Sequence, residues 1–287
     1  MKLATWQRAG KAALGVVGAN GTLYDIARRS AGRIADLRSV IAGDALAEVE
    51  ALAAGSPDAR LEDVTLLPPI PIGAKILCVG VNYPERNAEY KDGSDAPKYP
   101  SLFVRFPSSL VGHEQSVQRP PESVQFDYEG EIVIVIGKSG RRIPQARAHE
   151  HIFGLTLMNE GSVRDWLRHG KFNVTQGKNF DRSGSIGPWI VTRDSVGPLD
   201  GLTLVTRVNG EERQRGDTGT LMFPFARIIA YVSTFTTLEP GDLIATGTPP
   251  GAGGRFDPPK WLKAGDVVEV ECQQIGILRN VIADEKA

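Results

Sequence analysis

The chain has 287 residues, 41% of them hydrophobic and 23% charged, which is enough for one large domain or for a large domain with a small one. Its net charge is −1 and its Lys and Arg residues are scattered, which argues against a nucleic-acid-binding protein and against binding to an anionic membrane. No apolar run has the length of a membrane span, and the first residues lack the apolar core of a signal peptide, so we expect a cytoplasmic protein. We expect its partner to be a small molecule or a second copy of the chain.

Residues 1–67 are predicted to form a small N-terminal domain. Asn20-Gly21 marks a turn between two strand-like runs, and helical patterns follow near residues 34–54. A proline cluster at 68–71 then disfavours helix and suits an extended connector. We place a domain boundary there and assign residues 68–287 to a second, larger domain.

Beyond this boundary the chain is rich in short β-branched and aromatic runs bounded by Gly, Pro or Asp. Strands are predicted at 75–79, 101–106, 126–136, 152–159, 188–192, 202–208, 242–246 and 266–271, and Asn209-Gly210 predicts a hairpin turn. Helices are predicted at 84–91, 145–151, 162–169 and 224–235. The last is expected to begin at Pro224 and to bury one face, formed by Phe225, Ile228, Ile229, Val232 and Phe235. The pattern predicts an α+β fold with a dominant, mostly antiparallel or mixed β core.

The segment 127–131 is acidic and runs directly into an apolar stretch that is typical of a buried strand. Because successive strand residues point to opposite faces, Asp127, Glu129 and Glu131 are expected to share one face. Buried like charges repel and are costly to desolvate unless protons or a cation neutralise them. Oxygen ligands favour a hard divalent ion, Mg²⁺ first, with Mn²⁺ or Ca²⁺ as alternatives. A solvated acidic face on an edge strand is the purely structural alternative.

Four further segments stand out, namely Val79-Gly80-Val81-Asn82-Tyr83, Asn159–Asp165, Gly177–Pro188 and Thr246–Gly254. Taken singly, each has a structural explanation, as a turn before a helix, a capped helix or a glycine-rich loop. The last lacks the Gly-Lys-Ser/Thr ending of a phosphate-binding P-loop. In this order, and together with the acidic segment, they resemble the fumarylacetoacetate hydrolase family over roughly residues 70–285.

This resemblance implies a pseudo-barrel β-roll fold, a homodimer and a Mg²⁺ or Mn²⁺ site that binds a 2-oxo acid. Members of the family hydrolyse acylpyruvates and other 1,3-diketone acids at a C–C bond, decarboxylate, or isomerise and tautomerise. Residues 68–287 would form the catalytic domain.

The resemblance also assigns roles to individual residues. The metal ligands would be Glu129, Glu131 and Glu160, the last at a position where the family usually has Asp. Lys178 would act beside the metal as a catalytic cation, and Arg164 would hold a polar end of the substrate. The glycine-rich loop would offer hydroxyl and backbone N–H groups to the substrate carboxylate. The expected substrate-binding residues are Tyr83, Arg86, Arg164, Thr246, Gly247 and Thr248.

Two positions depart from the family pattern. Hydrolytic members have a His four residues after the Asn of the Val-Gly-x-Asn-Tyr strand and a Glu three residues further on, and these positions are Arg86 and Glu89 here. Since Arg stays protonated, it cannot accept a proton from water, which leaves Glu89 as the expected catalytic base. A Gln that the family carries three residues after its Arg is replaced by Leu167. Among the histidines, His113 is the best candidate for a substitute base.

We therefore predict a metal-dependent hydrolase that cleaves a C–C bond in a small 2,4-dioxo acid, acylpyruvate-like or sugar-derived, in a catabolic pathway, with water activated by Glu89. The first alternative is an isomerase, tautomerase or decarboxylase that acts on a 2-oxo acid. The second is a 2-oxo-acid-binding protein without turnover, because Arg86 replaces the dyad His. All three share chelation of the 2-oxo acid, which stabilises enolate character.

Overall fold

The computed structural model describes residues 1–89, 95–170 and 173–286. The described strands, in chain order, are β1 (Lys2–Arg8), β2 (Lys11–Val17), β3 (Thr22–Asp25), β4 (Ala59–Arg60), β5 (Thr65–Leu67), β6 (Ile76–Val79), β7 (Leu102–Val104), β8 (Leu110–Val111), β9 (Val117–Arg119), β10 (Phe126–Asp127), β11 (Gly130–Ile136), β12 (Ile152–Asn159), β13 (Ser162–Val163), β14 (Gly184–Thr192), β15 (Thr203–Val208), β16 (Glu211–Asp217), β17 (Leu243–Ala245), β18 (Val267–Cys272) and β19 (Gly276–Asp284). The described α-helices are α1 (Ile26–Arg29), α2 (Leu37–Ala42), α3 (Leu46–Leu52), α4 (Pro84–Ala88), α5 (Thr175–Lys178), α6 (Arg193–Val196) and α7 (Phe225–Phe235). Short 3₁₀ helices lie at Ala19–Gly21, Leu61–Asp63, Pro107–Ser109, Gln145–His151, Asp165–Arg168, Thr218–Thr220 and Gly253–Arg255.

The strands form one large sheet, one smaller sheet and one short pair. The twelve-stranded sheet has the order β4-β3-β2-β1-β14-β12-β11-β17-β6-β7, with β5 also pairing with β1 and β8 with β14. The five-stranded sheet has the order β16-β15-β18-β19-β9, and β10 pairs with β13 alone. Most pairs are antiparallel, while β6 with β17, β8 with β14 and β9 with β19 are parallel. This mixed, strand-rich architecture confirms the predicted α+β fold with a dominant β core.

Strand β11 carries two of the site residues and is buried over its whole length. Ile132, Ile134 and Ile136 belong to the core that includes residues of the five-stranded sheet and α7. Val133 and Val135 belong to a second core, which they share with residues of β1, α2 and α3. A strand that is buried on both faces has no polar face, and this explains the uninterrupted apolar run of the sequence.

The two larger sheets approach each other closely at Gly130, the first residue of β11. A Cβ atom at this position would lie 2.0 Å from Thr206 Oγ1 of β15 and 3.2 Å from Val270 Cγ1 of β18. The Gly130 N–H donates a hydrogen bond of 2.9 Å to Gln214 Oε1 of β16. Only glycine therefore fits here without moving one sheet away from the other.

The N-terminal strands extend the large sheet. Lys2 and Leu3 of β1 pair with Val191 and Ile190 of β14. Residues 5–7 of β1 pair with β5 on the same side, and residues 3–8 pair with β2 on the other. The division of the chain at residues 67 and 68 stays a prediction.

Several predicted elements are confirmed. Helix α7 follows Pro224 as expected, and the turn at Asn209-Gly210 joins β15 to β16, with positive φ at both residues. Phe235 is the exception in the predicted buried face of α7. It is the last residue of the helix and is 56% exposed, with its ring edge-on to Tyr231.

Other predicted elements are wrong in type or extent. Residues 145–151 form a 3₁₀ helix, and the helix predicted at 162–169 is the short strand β13 followed by a 3₁₀ helix. The helix predicted at 84–91 is seen as α4, which ends at Ala88, and residues 90 and 91 lie outside the described part of the chain. The strand predicted at 126–136 is interrupted at residues 128 and 129. Within the described ranges, α7 is the longest helix with 11 residues, and no helix is long and apolar enough to cross a membrane.

Candidate metal and substrate site

The break between β10 and β11 separates Asp127 from the two glutamates that follow it. β10 lies outside the large sheet and pairs with β13, where Asp127 lies opposite Ser162. β11 begins at Gly130, and Glu131 pairs with Met158 of β12. The expectation that Asp127, Glu129 and Glu131 share one face of a single strand is therefore wrong, because the chain changes sheets between the first and the last of them.

Glu129, Glu131 and Glu160 come together in a buried cluster. One carboxylate oxygen from each lies within 4.8 Å of the others, and all three residues are at most 5% exposed. Glu160 follows the end of β12, and its N–H donates to the Glu129 carbonyl oxygen at 2.7 Å. The register of β11 against β12 thus brings the three carboxylates to the same end of the sheet.

The donor set of this cluster fits a hard divalent cation. Glu160 Oε1 is buried and has no hydrogen-bond partner among the described residues. A buried acceptor of this kind is costly unless another group satisfies it. Three carboxylates that face one point supply the oxygen ligands that Mg²⁺ and Mn²⁺ prefer.

Three cations surround the carboxylate cluster. Lys178 Nζ lies 2.5 Å from Glu129 Oε2 and 3.1 Å from Glu160 Oε2. Arg86 Nη2 lies 3.0 Å from Glu129 Oε1, and Arg164 Nη2 lies 2.7 Å from the same oxygen. Glu129 is therefore bound by all three cations.

Charge and burial shift the pKa values of these groups in different directions. Burial would raise the pKa of the Glu129 carboxyl, but the three cations, led by Arg164, outweigh it and hold that pKa well below its ordinary value. Burial raises the pKa of the Glu131 carboxyl well above its ordinary value, and the negative charges of Glu160 and Glu129 add to this effect. Burial would lower the pKa of Lys178, but Glu129 and Glu160 raise it above its ordinary value, so the side chain stays an ammonium.

Asp127 anchors the glycine-rich loop that follows β17. Its Oδ1 accepts the N–H groups of Tyr128 and Gly253 at 2.9 and 2.7 Å. Its Oδ2 accepts the Gly254 N–H at 3.0 Å and Arg164 Nε at 2.7 Å. Asp127 thus joins this loop to one of the three cations and has no place in the carboxylate cluster.

Glu89 and Arg86 are in direct contact at the end of α4. Arg86 Nη1 lies 2.5 Å from Glu89 Oε2, and Glu89 Oε1 accepts the Gly251 N–H at 2.8 Å. Because the same guanidinium also binds Glu129, it connects the predicted base to a predicted metal ligand.

The other predicted substrate-binding residues are buried and hydrogen-bonded within the protein. The Thr246 hydroxyl donates to the Ile132 carbonyl oxygen, and the Thr248 hydroxyl oxygen accepts from Gln214 Nε2, both at 2.8 Å. The Gly247 N–H donates to Glu131 Oε2 at 2.8 Å.

Tyr83 lies in the core between the sheets. Neither these four residues nor Glu89 line the cavity beside the carboxylates, and their roles towards the substrate stay predictions.

That cavity has a volume of about 390 Å³, and five of the residues described above line it: Arg86, Glu129, Glu160, Arg164 and Lys178. Leu167 lines it as well. His113 does not, and its Nδ1 accepts the Arg279 N–H at 3.1 Å. Nothing in its position supports a role as a substitute base.

Sequence reasoning missed Arg105, which lies directly behind the site. It is 2% exposed and donates to the Gly161 carbonyl oxygen, next to Glu160, and to Ser109 and Ser183. A single Arg inside the apolar run 102–106 was the available signal, because a buried cation needs such a set of partners.

The part of the chain that matches known proteins includes all residues of this site. Residues 75–283 match the family model described as fumarylacetoacetate (FAA) hydrolase, C-terminal. The human protein named oxaloacetate tautomerase FAHD2B, mitochondrial, is 42% identical over 234 residues, which are 81% of this chain and 74% of that protein. The Bacillus subtilis (strain 168) protein named oxaloacetate tautomerase YisK is 41% identical over 225 residues, 77% of this chain and 74% of that protein. A solved structure of a fumarylacetoacetate hydrolase from Exiguobacterium antarcticum is 36% identical, with a TM-score of 0.86 over 99% of this chain and 100% of that one.

Proposed function

Because this chain belongs to the fumarylacetoacetate hydrolase family, a family of enzymes, we propose that it is a Mg²⁺- or Mn²⁺-dependent tautomerase that interconverts the keto and enol forms of oxaloacetate or a similar short 2-oxo acid. The named relatives support the tautomerase alternative over the C–C bond hydrolase that the sequence alone led us to favour.

The position of Lys178 is the observation that carries this proposal. Its ammonium lies between Glu129 and Glu160, beside the carboxylate cluster and on the cavity wall. A bound divalent ion would polarise the 2-oxo group and acidify the neighbouring C3–H bond. Lys178 would donate a hydrogen bond to the C2 oxygen, where negative charge develops as the enol forms, and such a fixed donor lowers the barrier.

Glu89 is the carboxylate that we assign to the proton transfer at C3. Its oxygens are held by Arg86 and by the Gly251 N–H. Arg86 stays protonated and cannot take a proton from water, as the dyad His of hydrolytic members does, so its presence favours a proton shift over hydrolysis.

Arg164 is the residue that we assign to the second carboxylate of oxaloacetate. It lines the cavity next to Glu129 and is held in place by Asp127.

From the family alone we also propose a homodimer, which light scattering would reveal as twice the chain mass of 31.0 kDa.

The test is to follow the loss of enol-oxaloacetate by its ultraviolet absorbance with the Mg²⁺-loaded protein, while NMR records pyruvate release and acylpyruvate cleavage under the same conditions. We expect enol conversion to dominate and to stop when the metal is chelated. Lys178→Met should lower kcat by about 10²–10³-fold, as for loss of an oxyanion donor, whereas the exposed control Lys263→Met should not. Faster cleavage than tautomerisation, or full activity of Lys178→Met, would overturn the proposal.

Arg86→His provides a second comparison within the same assays. It restores the His-Glu pair of hydrolytic members, so acylpyruvate cleavage should rise relative to tautomerisation. A cleavage rate that stays at the wild-type level would show that this position does not decide between the two reactions.

A further inference from the structure

The cavity continues beyond its charged end along an apolar wall. This apolar wall is formed by Leu102, Phe103, Val104, Leu167 and Val174. Lys178 Nζ lies 5.2 Å from the centre of the Phe103 ring, so the wall begins directly beside the group that faces the reacting oxygen. Val104 is 44% exposed although it lies in a strand of the large sheet. Apolar surface is thus available next to the reacting end of the cavity.

The volume of the cavity exceeds the needs of a four-carbon acid. At about 390 Å³ it falls within the range of roughly 300–1,000 Å³ that is usual for sites of drug-sized ligands. Leu167 closes the wall near the reacting end. A Cβ atom at Gly177, immediately before Lys178, would lie 2.6 Å from Leu167 Cδ2, so this leucine packs against the helix that holds the ammonium.

The charges of the site do not require a second anionic group on the substrate. Each cation in the described lining, namely Lys178, Arg164 and Arg86, is already ion-paired with a carboxylate of the protein. A site rejects an analogue that lacks a polar group when its own buried polar groups are left unpaired. That penalty is absent here, because an apolar substrate tail leaves every one of these cations with its partner.

We infer that the site also tautomerises 2-oxo acids with an apolar or aryl side chain, of which phenylpyruvate is the simplest aryl member, and that the apolar wall binds the side chain. This inference rests on the proposed tautomerase function and extends its substrate class. In the reaction a proton leaves C3 and a proton is added to the C2 oxygen, while the C2–O double bond becomes single and the C2–C3 bond becomes double. No oxidant, reductant or co-reactant is needed.

The experiment compares oxaloacetate with phenylpyruvate in the ultraviolet enol assay, using the Mg²⁺-loaded protein, Leu167→Gln and the control Ile72→Gln, which makes the same polar change at a residue that is 74% exposed. Leu167→Gln should lower the ratio of kcat/KM for phenylpyruvate to kcat/KM for oxaloacetate by about tenfold or more, while the control should leave this ratio unchanged. Calorimetry supplies a readout apart from turnover. Phenylpyruvate should bind about tenfold more tightly than pyruvate, and Leu167→Gln should remove that difference.

The outcomes separate this inference from the function on which it rests. Turnover of oxaloacetate with phenylpyruvate no faster than in buffer overturns the inference and leaves the proposed function standing. Equal phenylpyruvate kinetics and binding in the wild type and in Leu167→Gln, with both proteins folded by thermal unfolding, also overturn it. Turnover of neither acid overturns the proposed function, and calorimetry then decides whether the apolar wall binds an aryl tail.

Discussion

Asp127 and Glu160 are both buried carboxylates beside the same group of cations, yet their surroundings differ. Asp127 accepts hydrogen bonds from three backbone N–H groups and from Arg164, so both of its oxygens are satisfied. Glu160 accepts from Lys178 through one oxygen, and its other oxygen has no partner in the described part of the chain. The comparison teaches that a satisfied buried carboxylate holds the fold together, whereas an unsatisfied one is available to a ligand.

The largest effect is expected where a carboxylate of the cluster is removed. Glu131→Gln removes one of the carboxylates that face the metal. The Mg²⁺ affinity should therefore fall by more than roughly 10–100-fold, which is the usual loss when a hydrogen-bond partner of a metal ligand is mutated. Activity should be lost as well. Calorimetry measures the affinity, with the exposed Glu122→Gln as a control. An affinity within a few-fold of the wild type would mean that Glu131 is not a ligand.

The next effect concerns Glu89, which contacts the cluster only through Arg86. Glu89→Gln should lower kcat with saturating oxaloacetate by about 10²–10⁴-fold if Glu89 transfers the C3 proton, because an amide cannot accept it. Mg²⁺ affinity should change little. Glu85→Gln, at an exposed position of α4, which ends directly before Glu89, is the matched control. An unchanged kcat would assign the proton transfer to another group.

Asp127→Asn tests the carboxylate whose two oxygens are both hydrogen-bonded within the protein. The variant turns an acceptor towards the Gly254 N–H and Arg164 into a donor and breaks a buried ion pair, which should lower the free energy of unfolding by about 3 kcal/mol. We expect the low end of the usual range, because Arg164 keeps its ion pair with Glu129. Urea unfolding measures the loss against the exposed Asp44→Asn. A large drop in Mg²⁺ affinity with little loss of stability would reverse the roles assigned to Asp127 and the cluster.

The smallest expected effect is the pH dependence of the folding stability that is due to His113. Like the oxygens of Asp127, its Nδ1 already accepts a hydrogen bond within the protein. Burial lowers the pKa of His113 below its ordinary value of about 6.5, and its Nδ1 accepts the Arg279 N–H. The unfolded chain therefore binds a proton more readily than the folded one, so the stability due to this group is present above about pH 6.5 and is lost as the pH falls through the folded pKa. The melting temperature of the wild type should fall more between pH 7.5 and pH 5 than that of His113→Asn. Parallel changes in both proteins would contradict this.

The sequence predicted the fold class and the members of the carboxylate cluster better than it predicted their geometry. Strand periodicity found β11 and the hairpin at Asn209-Gly210, because both depend on local preferences. It could not show that the chain changes sheets between Asp127 and Gly130, since this depends on pairing with distant strands. The burial of Tyr83 in the core, away from the cavity, depends in the same way on how the sheets pack.

Gly130 lies between two of the predicted metal ligands, at a position where only glycine fits. It separates Glu129 from Glu131 and is also the place where the two larger sheets touch, because a Cβ atom there would overlap Thr206 Oγ1. Any side chain at this position would move the sheets apart and shift the spacing of the two glutamates at the same time. Laboratory evolution towards new substrates should therefore leave this glycine unchanged and vary the apolar wall, whose residues lie outside the carboxylate cluster.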